Sequence, residues 1–352
     1  MSMDSIRIGS HLIGPGHPPY VVAEMSGNHN QSLDRAIAIV DAAADAGVHA
    51  IKLQTYTPDT MTLDLSGGLF SIDDADSLWD GETLYGLYQK ASTPWEWHRA
   101  LFDRARERAL TIFSTPFDPS AVELLESLGA PAYKIASFEI VDLQLIECAA
   151  RTGKPLLVST GMATLSEIED AVETARAAGC RDLILLKCTS AYPAGAASAN
   201  LRTVPHLAEL FGVQVGLSDH TLGTAVAVAA VSLGATVIEK HFTLRRADGG
   251  VDAAFSLEPP EMAALVRDTA LAAEALGSVR YGTGEDEVAS RRFRRSLYIV
   301  RDLEAGGTLT RQNVRAVRPG DGLPPKYLEV LLGRKVQGPV KKGTPVAWTL
   351  LQ

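Results

Sequence analysis

The sequence predicts an α/β chain: a (β/α)8 TIM barrel followed by a small C-terminal domain of short strands. Three observations carry this: eight short apolar runs, helical spacing in the segments between them, and a change of texture near residue 280. The runs are Tyr20 to Met25, Ala50 to Tyr56, Leu110 to Phe117, Ala132 to Ser137, Leu156 to Thr160, Leu183 to Cys188, Val213 to Leu217 and Thr236 to Phe242. Each is nearly continuous in Val, Ile, Leu and Ala, as a strand covered on both faces should be. A doubly wound open sheet is the second choice.

The intervening segments support the alternation. Leu33, Ala36, Ile37, Val40 and Ala44 fall at helical spacing, and Gly47 stands where a glycine would end that helix. Thr164-Leu-Ser-Glu167 has the form of a capping box, which places a helix start just beyond the fifth run. Ala225 to Ile238 reads as a buried helix running into a strand, too short and too interrupted to span a membrane. The gap between the second and third runs carries Asp64 to Tyr88, with Gly67-Gly68 and a run of acids, and predicts an inserted lid loop plus one helix. Beyond it the barrel domain is predicted over 1–280, a linker over 281–294, and a compact module over 295–352, punctuated by glycine and proline and too small for a large core.

Composition narrows the function. The 352 residues carry a net charge of −9 and are 46% hydrophobic, an ordinary globular balance that opposes binding to nucleic acid or to an anionic membrane surface. Cys148, Cys180 and Cys188 are an odd count without C-x-x-C spacing, so neither a disulfide framework nor a cysteine zinc site is expected. The N-terminal segment has no uninterrupted apolar stretch of signal-peptide form, and a cytoplasmic location is expected.

In a (β/α)8 barrel, reactive groups sit at the C-terminal ends of the strands. Reading those ends gives Glu24, then Lys52 and Gln54, Thr115, Lys134 with Ser137 and Glu139, Ser159, Lys187 with Tyr192, Ser218 with Asp219 and His220, and finally Glu239, Lys240 and His241. Lys52 and Lys134 in buried strands are costly unless paired or facing a polar cavity. Either they form an anion cradle with nearby hydroxyls, or each pairs with a neighbouring acid. His220 and His241 close the seventh and eighth runs, so they are able to share one divalent ion or to act as general acid and base. Glu24 is either a proton-transfer carboxyl with a raised pKa or a partner for a lysine. Arg291, Arg292, Arg294 and Arg295 around Phe293 read as a solvated hinge or a basic rim. No Walker, Rossmann or G-x-S-x-G motif is present.

Taken in order, AEMSGNHNQSLDRA, AIKLQTYTPDT, FSTPFD, AYKIASFE, LLVSTGMAT, LKCTSAYP, GLSDHT and IEKHF resemble the sialic acid synthase family over essentially the whole chain, and VRPGDGLPP resembles that family's antifreeze-like (SAF, β-clip) domain. QTYTPDTMTLD, LWDGETLYGLYQKASTPWEWH and FRRSLY look most like the pseudaminic acid branch of the family rather than its N-acetylneuraminate branch.

The resemblance implies condensation of phosphoenolpyruvate with the open-chain aldehyde of a 6-deoxy diacetamido sugar, releasing phosphate and making a nine-carbon acid. It implies that His220 and His241 hold a divalent ion, usually Mn²⁺ with Mg²⁺ or Co²⁺ as alternatives. Lys52, Thr115, Lys134, Ser137, Ser159 and Ser218 match positions that grip phosphoenolpyruvate, and Glu24 matches the catalytic carboxylate. Gln54, Glu139, Tyr192 and Asp252 match sugar-facing positions, although the loop RRADGGVDAAF around Asp252 departs from the sialic acid synthase pattern. Arg318 matches an arginine that reaches the sugar from a partner chain, which implies a domain-swapped homodimer. Three rivals stand beside this reading: the same reaction on the neuraminic or legionaminic sugar, a metal-dependent aldolase cleaving a sugar phosphate, and a non-catalytic carbohydrate-binding barrel.

Overall fold

The computed structural model describes residues 4–75 and 77–352, so residues 1–3 of the N-terminal segment and Asp76 of the acidic run lie outside the described residues. The chain divides into two units, Met1–Gly277 and Ser278–Gln352.

The first unit opens on a short hairpin, β1 (Ile6–Ile8) and β2 (His11–Ile13). Eight parallel strands follow: β3 (Tyr20–Glu24), β4 (Ala50–Thr55), β5 (Thr111–Pro116), β6 (Tyr133–Ile135), β7 (Leu156–Ser159), β8 (Leu183–Cys188), β9 (Gln214–Asp219) and β10 (Val237–His241). They close into a barrel in sequence order, with β10 pairing β3. The predicted runs are these strands, with ends moved by a residue or two and β6 shortened to three residues.

Side chains alternate across a strand, and here the alternation separates two layers inside the barrel. Tyr20, Val22, Ala50, Phe113, Ala132, Leu157, Ile184, Leu186 and Val237 form one apolar cluster with Ile6, Ile8 and Ile13 of the hairpin. The hairpin therefore plugs the N-terminal end of the barrel, an element the sequence reading missed. Gly216 belongs to the same layer, and a Cβ there would collide with Leu186 and Val237. Two residues further along, the inward positions become polar: Glu24, Lys52, Thr115, Lys134, Ser159, Ser218 and Glu239 are all buried. The outward residues of the same strands pack under the helices in a larger apolar cluster that includes Val21, Ile51, Ile112, Tyr133, Val158, Leu185 and Ile238.

The helix Leu33–Asp45 starts at Ser32, whose Oγ accepts from the Arg35 amide, and Gly47 follows its end with φ 79°. Thr164 and Glu167 form the predicted capping box of Leu165–Ala177. Ala225–Ser232 is a helix that leads into β10, with one face exposed. Among the described residues, no helix is long and apolar enough to cross a membrane. The β4–β5 connection carries the inserted segment, including helix Leu84–Ala91 and a bridge between Ser71 and Thr83. Trp79 ties it down by donating its indole N–H to the Val251 carbonyl at 2.9 Å.

The second unit pairs β11 (Ser296–Ile299) with β12 (Val314–Val317) in antiparallel register. It has a small core of its own, in which Leu297, Ile299, Leu309, Val314, Leu331, Val336, Val340, Val346 and Leu351 cluster. All three cysteines are free.

Candidate active site

The polar layer is one connected network. Lys52 Nζ lies 2.8 Å from Glu24 Oε2, 3.7 Å from Glu239 Oε2 and 3.0 Å from Thr115 Oγ1. Lys134 Nζ lies 3.8 Å from Glu239 Oε1, which also accepts from Ser218 Oγ at 2.9 Å. Gln54 Nε2 donates to Glu24 Oε1 at 2.9 Å and to Ser26 Oγ at 3.0 Å. Each lysine thus has an acid partner, and both still face the polar interior of the barrel.

Two positive and two negative side chains share this buried space, and their protonation is mutual. Burial pushes the Glu24 carboxyl up to about 7 against the attraction of Lys52, and the neighbouring Glu239 charge adds to the rise. Glu239 is also buried, but the ammonium groups of Lys134 and Lys52 outweigh that and hold it below the ordinary range. Burial lowers Lys134, whereas for Lys52 the two carboxylates more than offset burial and raise it. Glu24 is therefore the carboxyl of the pair that is able to exchange a proton near neutral pH.

Glu239 was not assigned a role from the sequence, although Glu239 and His241 stand two apart on β10 and so must share a face. Lys240 between them points outward and pairs with Asp219 at 2.9 Å under the helices, and Lys187 likewise leaves the interior and donates to the Cys188 carbonyl. These two lysines are part of the barrel's outer packing.

Above the network the histidines converge. The His220 and His241 rings are 5.2 Å apart, edge to face, with Phe255 against both and Tyr192 against His220 at 4.5 Å. His220 Nδ1 lies 2.9 Å from the Thr189 carbonyl, which only accepts, so this nitrogen carries a proton; burial lowers the imidazole's pKa, but Cys188 beside it and this carbonyl more than offset that and raise it. His241 Nδ1 has no hydrogen-bond partner, and burial together with the nearby positive groups holds this imidazole neutral. Asp252 Oδ2 lies 3.6 Å from it and accepts from Ser26 Oγ.

On the other side, Ser137 Oγ accepts from the Gly161 amide at 3.2 Å, and the buried Ser159 hydroxyl has no partner. A Cβ on Gly161 would run into the Ser137 and Ser190 hydroxyls, so the chain approaches them this closely only as glycine. A cavity of about 410 Å³ opens above the network, reached by Ser26, Gln54, Glu139, Tyr192, His241 and Asp252. Burial pushes Glu139 up to about 7. Arg318 is exposed in the second unit, without an ion-pair partner among the described residues.

This layout is a floor of paired charges and hydroxyls, that of Ser159 without a partner, two imidazoles at its edge, and a cavity with polar groups in its lining. It suits a small anion held beside a carbonyl compound.

The chain is 47% identical over 331 residues to pseudaminic acid synthase of Helicobacter pylori, covering 94% of this chain and 97% of that one. It is 33% identical to N,N'-diacetyllegionaminic acid synthase of Legionella pneumophila over 94% of this chain and 93% of the relative. The crystal structure of N-acetylneuraminic acid synthetase from Leptospira borgpetersenii in complex with citrate superposes with a TM-score of 0.72 at 31% identity, covering 82% of this chain and 95% of that one. Residues 39–281 match the NeuB family and residues 294–352 match the SAF domain, and on these grounds the chain belongs to the NeuB family, with a SAF domain following its barrel.

Proposed function

We propose that this chain is a pseudaminic acid synthase, condensing phosphoenolpyruvate, water and the open-chain form of 2,4-diacetamido-2,4,6-trideoxy-L-altrose to give pseudaminic acid and phosphate. The observation that carries the reaction class is the buried floor, where Lys52 and Lys134 stand among the Thr115, Ser218 and partnerless Ser159 hydroxyls beside Glu24, whose pKa is pushed up to about 7. The sugar assignment is supported by the 47% identity to a pseudaminic acid synthase against 33% to a legionaminic acid synthase.

Lys52, Lys134, Thr115, Ser137, Ser159 and Ser218 hold the phosphate and carboxylate of phosphoenolpyruvate, and the fixed ammonium groups stabilise negative charge without reorganising. Gln54, Glu139, Tyr192 and Asp252 line the space for the sugar, whose aldehyde lies toward His241. C3 of phosphoenolpyruvate then bonds to the aldehyde carbon, water adds at C2, and the C–O bond to phosphate breaks. Glu24 exchanges a proton with the reacting oxygens, its acidity set by Lys52 and Glu239.

Two imidazoles from neighbouring strand tops, His241 neutral and His220 once it gives up its second proton, fit a divalent ion, Mn²⁺ first and Mg²⁺ or Co²⁺ next. Among the described residues no group of three or more His, Cys, Asp or Glu side chains is placed to hold one, so His220 and His241 would hold it with oxygens of substrate and water. Such an ion supplies Lewis acidity to the aldehyde oxygen.

Among the described residues the cavity lining holds neither Lys nor Arg. Such a lining suits an unphosphorylated sugar above the charged floor. We also propose that Arg318 completes the sugar site of a partner chain in a homodimer, and that the enzyme works in the cytoplasm, where phosphoenolpyruvate is made. Phosphate release from phosphoenolpyruvate with the altrose sugar tests the assignment.

A further inference from the structure

Two kinds of side chain line the cavity. Gln54, Glu139, His241 and Asp252 supply its polar groups, next to the charged floor. The segment between β4 and β5 adds the apolar side chains Met61, Ile72, Leu84 and Leu87 along with the rings of Trp79 and Tyr88, and Phe117 and Phe138 come from just beyond β5 and β6. Most of these side chains are only partly covered, Phe138 being 56% exposed, so the wall is apolar surface that faces the cavity rather than a closed core. An uncovered apolar surface of this kind is stabilised when a ligand's own apolar atoms displace water from it.

The orientation of the sugar follows from the floor. Its aldehyde carbon has to meet phosphoenolpyruvate over Glu24, Lys52 and Lys134, so the carbon farthest from the aldehyde points away from the charges. We infer that the apolar wall of Met61, Ile72, Leu84 and Leu87 reads that far end of the sugar, accepting a methyl group at C6 and rejecting a hydroxymethyl. This rests on the proposed synthase activity and adds to it the residues that choose the substrate. A hydroxyl pressed against this wall loses its water, and none of these four side chains has an oxygen or nitrogen to replace it. Hydrophobic pockets reject an added hydroxyl only moderately, which sets the expected preference at about 10- to 100-fold in kcat/KM.

The experiment compares phosphate release with two substrates, 2,4-diacetamido-2,4,6-trideoxy-L-altrose and its analogue with a hydroxyl at C6, in the full-length enzyme and in Met61→Thr and Ile72→Thr variants. Both substitutions are at partly covered positions, and each puts a hydroxyl into the wall. The unsubstituted enzyme is expected to prefer the 6-deoxy sugar by the stated factor, with the ratio falling toward one in at least one variant as kcat/KM for the hydroxylated analogue rises. Equal use of the two sugars by the unsubstituted enzyme, or an unchanged ratio in both variants, overturns the inference while leaving the synthase assignment standing. Absence of phosphate release with either sugar removes the assignment, and the inference with it.

Discussion

Lys52 Nζ sits 2.8 Å from Glu24 Oε2 inside the barrel, with both side chains almost wholly excluded from water. In the proposed mechanism this pair joins the anion-binding floor to the carboxyl that exchanges protons, so its two members should fail differently. Glu24→Gln keeps the shape and a hydrogen-bonding partner for Gln54, and is expected to lower kcat by about 100-fold or more with little change in the KM for phosphoenolpyruvate. Lys52→Met leaves two buried carboxylates short of a counter-charge, which should cost roughly 3–5 kcal/mol of stability and weaken phosphoenolpyruvate binding. Steady-state kinetics and urea denaturation check the two halves.

Glu139 should make stability depend on pH. Burial raises its folded pKa to about 7 from 4.5, so between these values the unfolded chain releases a proton that the folded protein keeps. Its contribution to stability is fully present below about pH 4.5 and is lost as pH rises through about 7. At ~1.4 kcal/mol per pH unit the loss is at most roughly 3.5 kcal/mol. Glu139→Gln should therefore gain stability over the parent as pH rises across this window, measured by denaturation at pH 4.5, 6 and 8. A constant difference between parent and variant contradicts the buried carboxyl.

Much of this architecture was legible because parallel strands buried on both faces leave unbroken apolar runs, and each of the eight runs became a strand. The hairpin Ile6–Ile13 was not legible, because its strands are three residues long and hold too few positions to show a period. The residues of the floor were found as strand-end polar groups, but which way each faces needed the register. Glu239 and Lys240 are neighbours in sequence, yet one reaches Lys52 and Lys134 in the interior and the other reaches Asp219 outside it. Of the two readings of the lysines, the acid partner is the one the structure shows, in Glu24 and Glu239, while the anion cradle belongs to the proposed function.

The histidine pair predicts metal binding that is separable from turnover. Mn²⁺ should bind the parent enzyme at a single site, and His241→Ala should lose that binding while keeping its fold, as read by calorimetry and circular dichroism. Treatment with a chelator should abolish phosphate release, and added Mn²⁺ should restore it. Undiminished Mn²⁺ binding by His241→Ala places the ion elsewhere.

If Arg318 serves a partner's site, defects in barrel and SAF domain should complement. Arg318→Ala should raise the KM for the sugar, and an equimolar mixture of Arg318→Ala and Glu24→Gln chains should recover about one quarter of parental activity, since half the dimers are mixed and each has one intact site. A mixture no more active than its separate components contradicts a site shared between chains.

The central claim is tested most directly by phosphate release from phosphoenolpyruvate with Mn²⁺ in the presence of 2,4-diacetamido-2,4,6-trideoxy-L-altrose, the corresponding legionaminic precursor, or N-acetylmannosamine. Turnover with the altrose sugar, well above the other two, is the predicted result. Preferred turnover of the legionaminic precursor or N-acetylmannosamine would contradict the pseudaminic assignment while keeping the chemistry of the floor, and no phosphate release with any of the three would contradict the synthase reading itself.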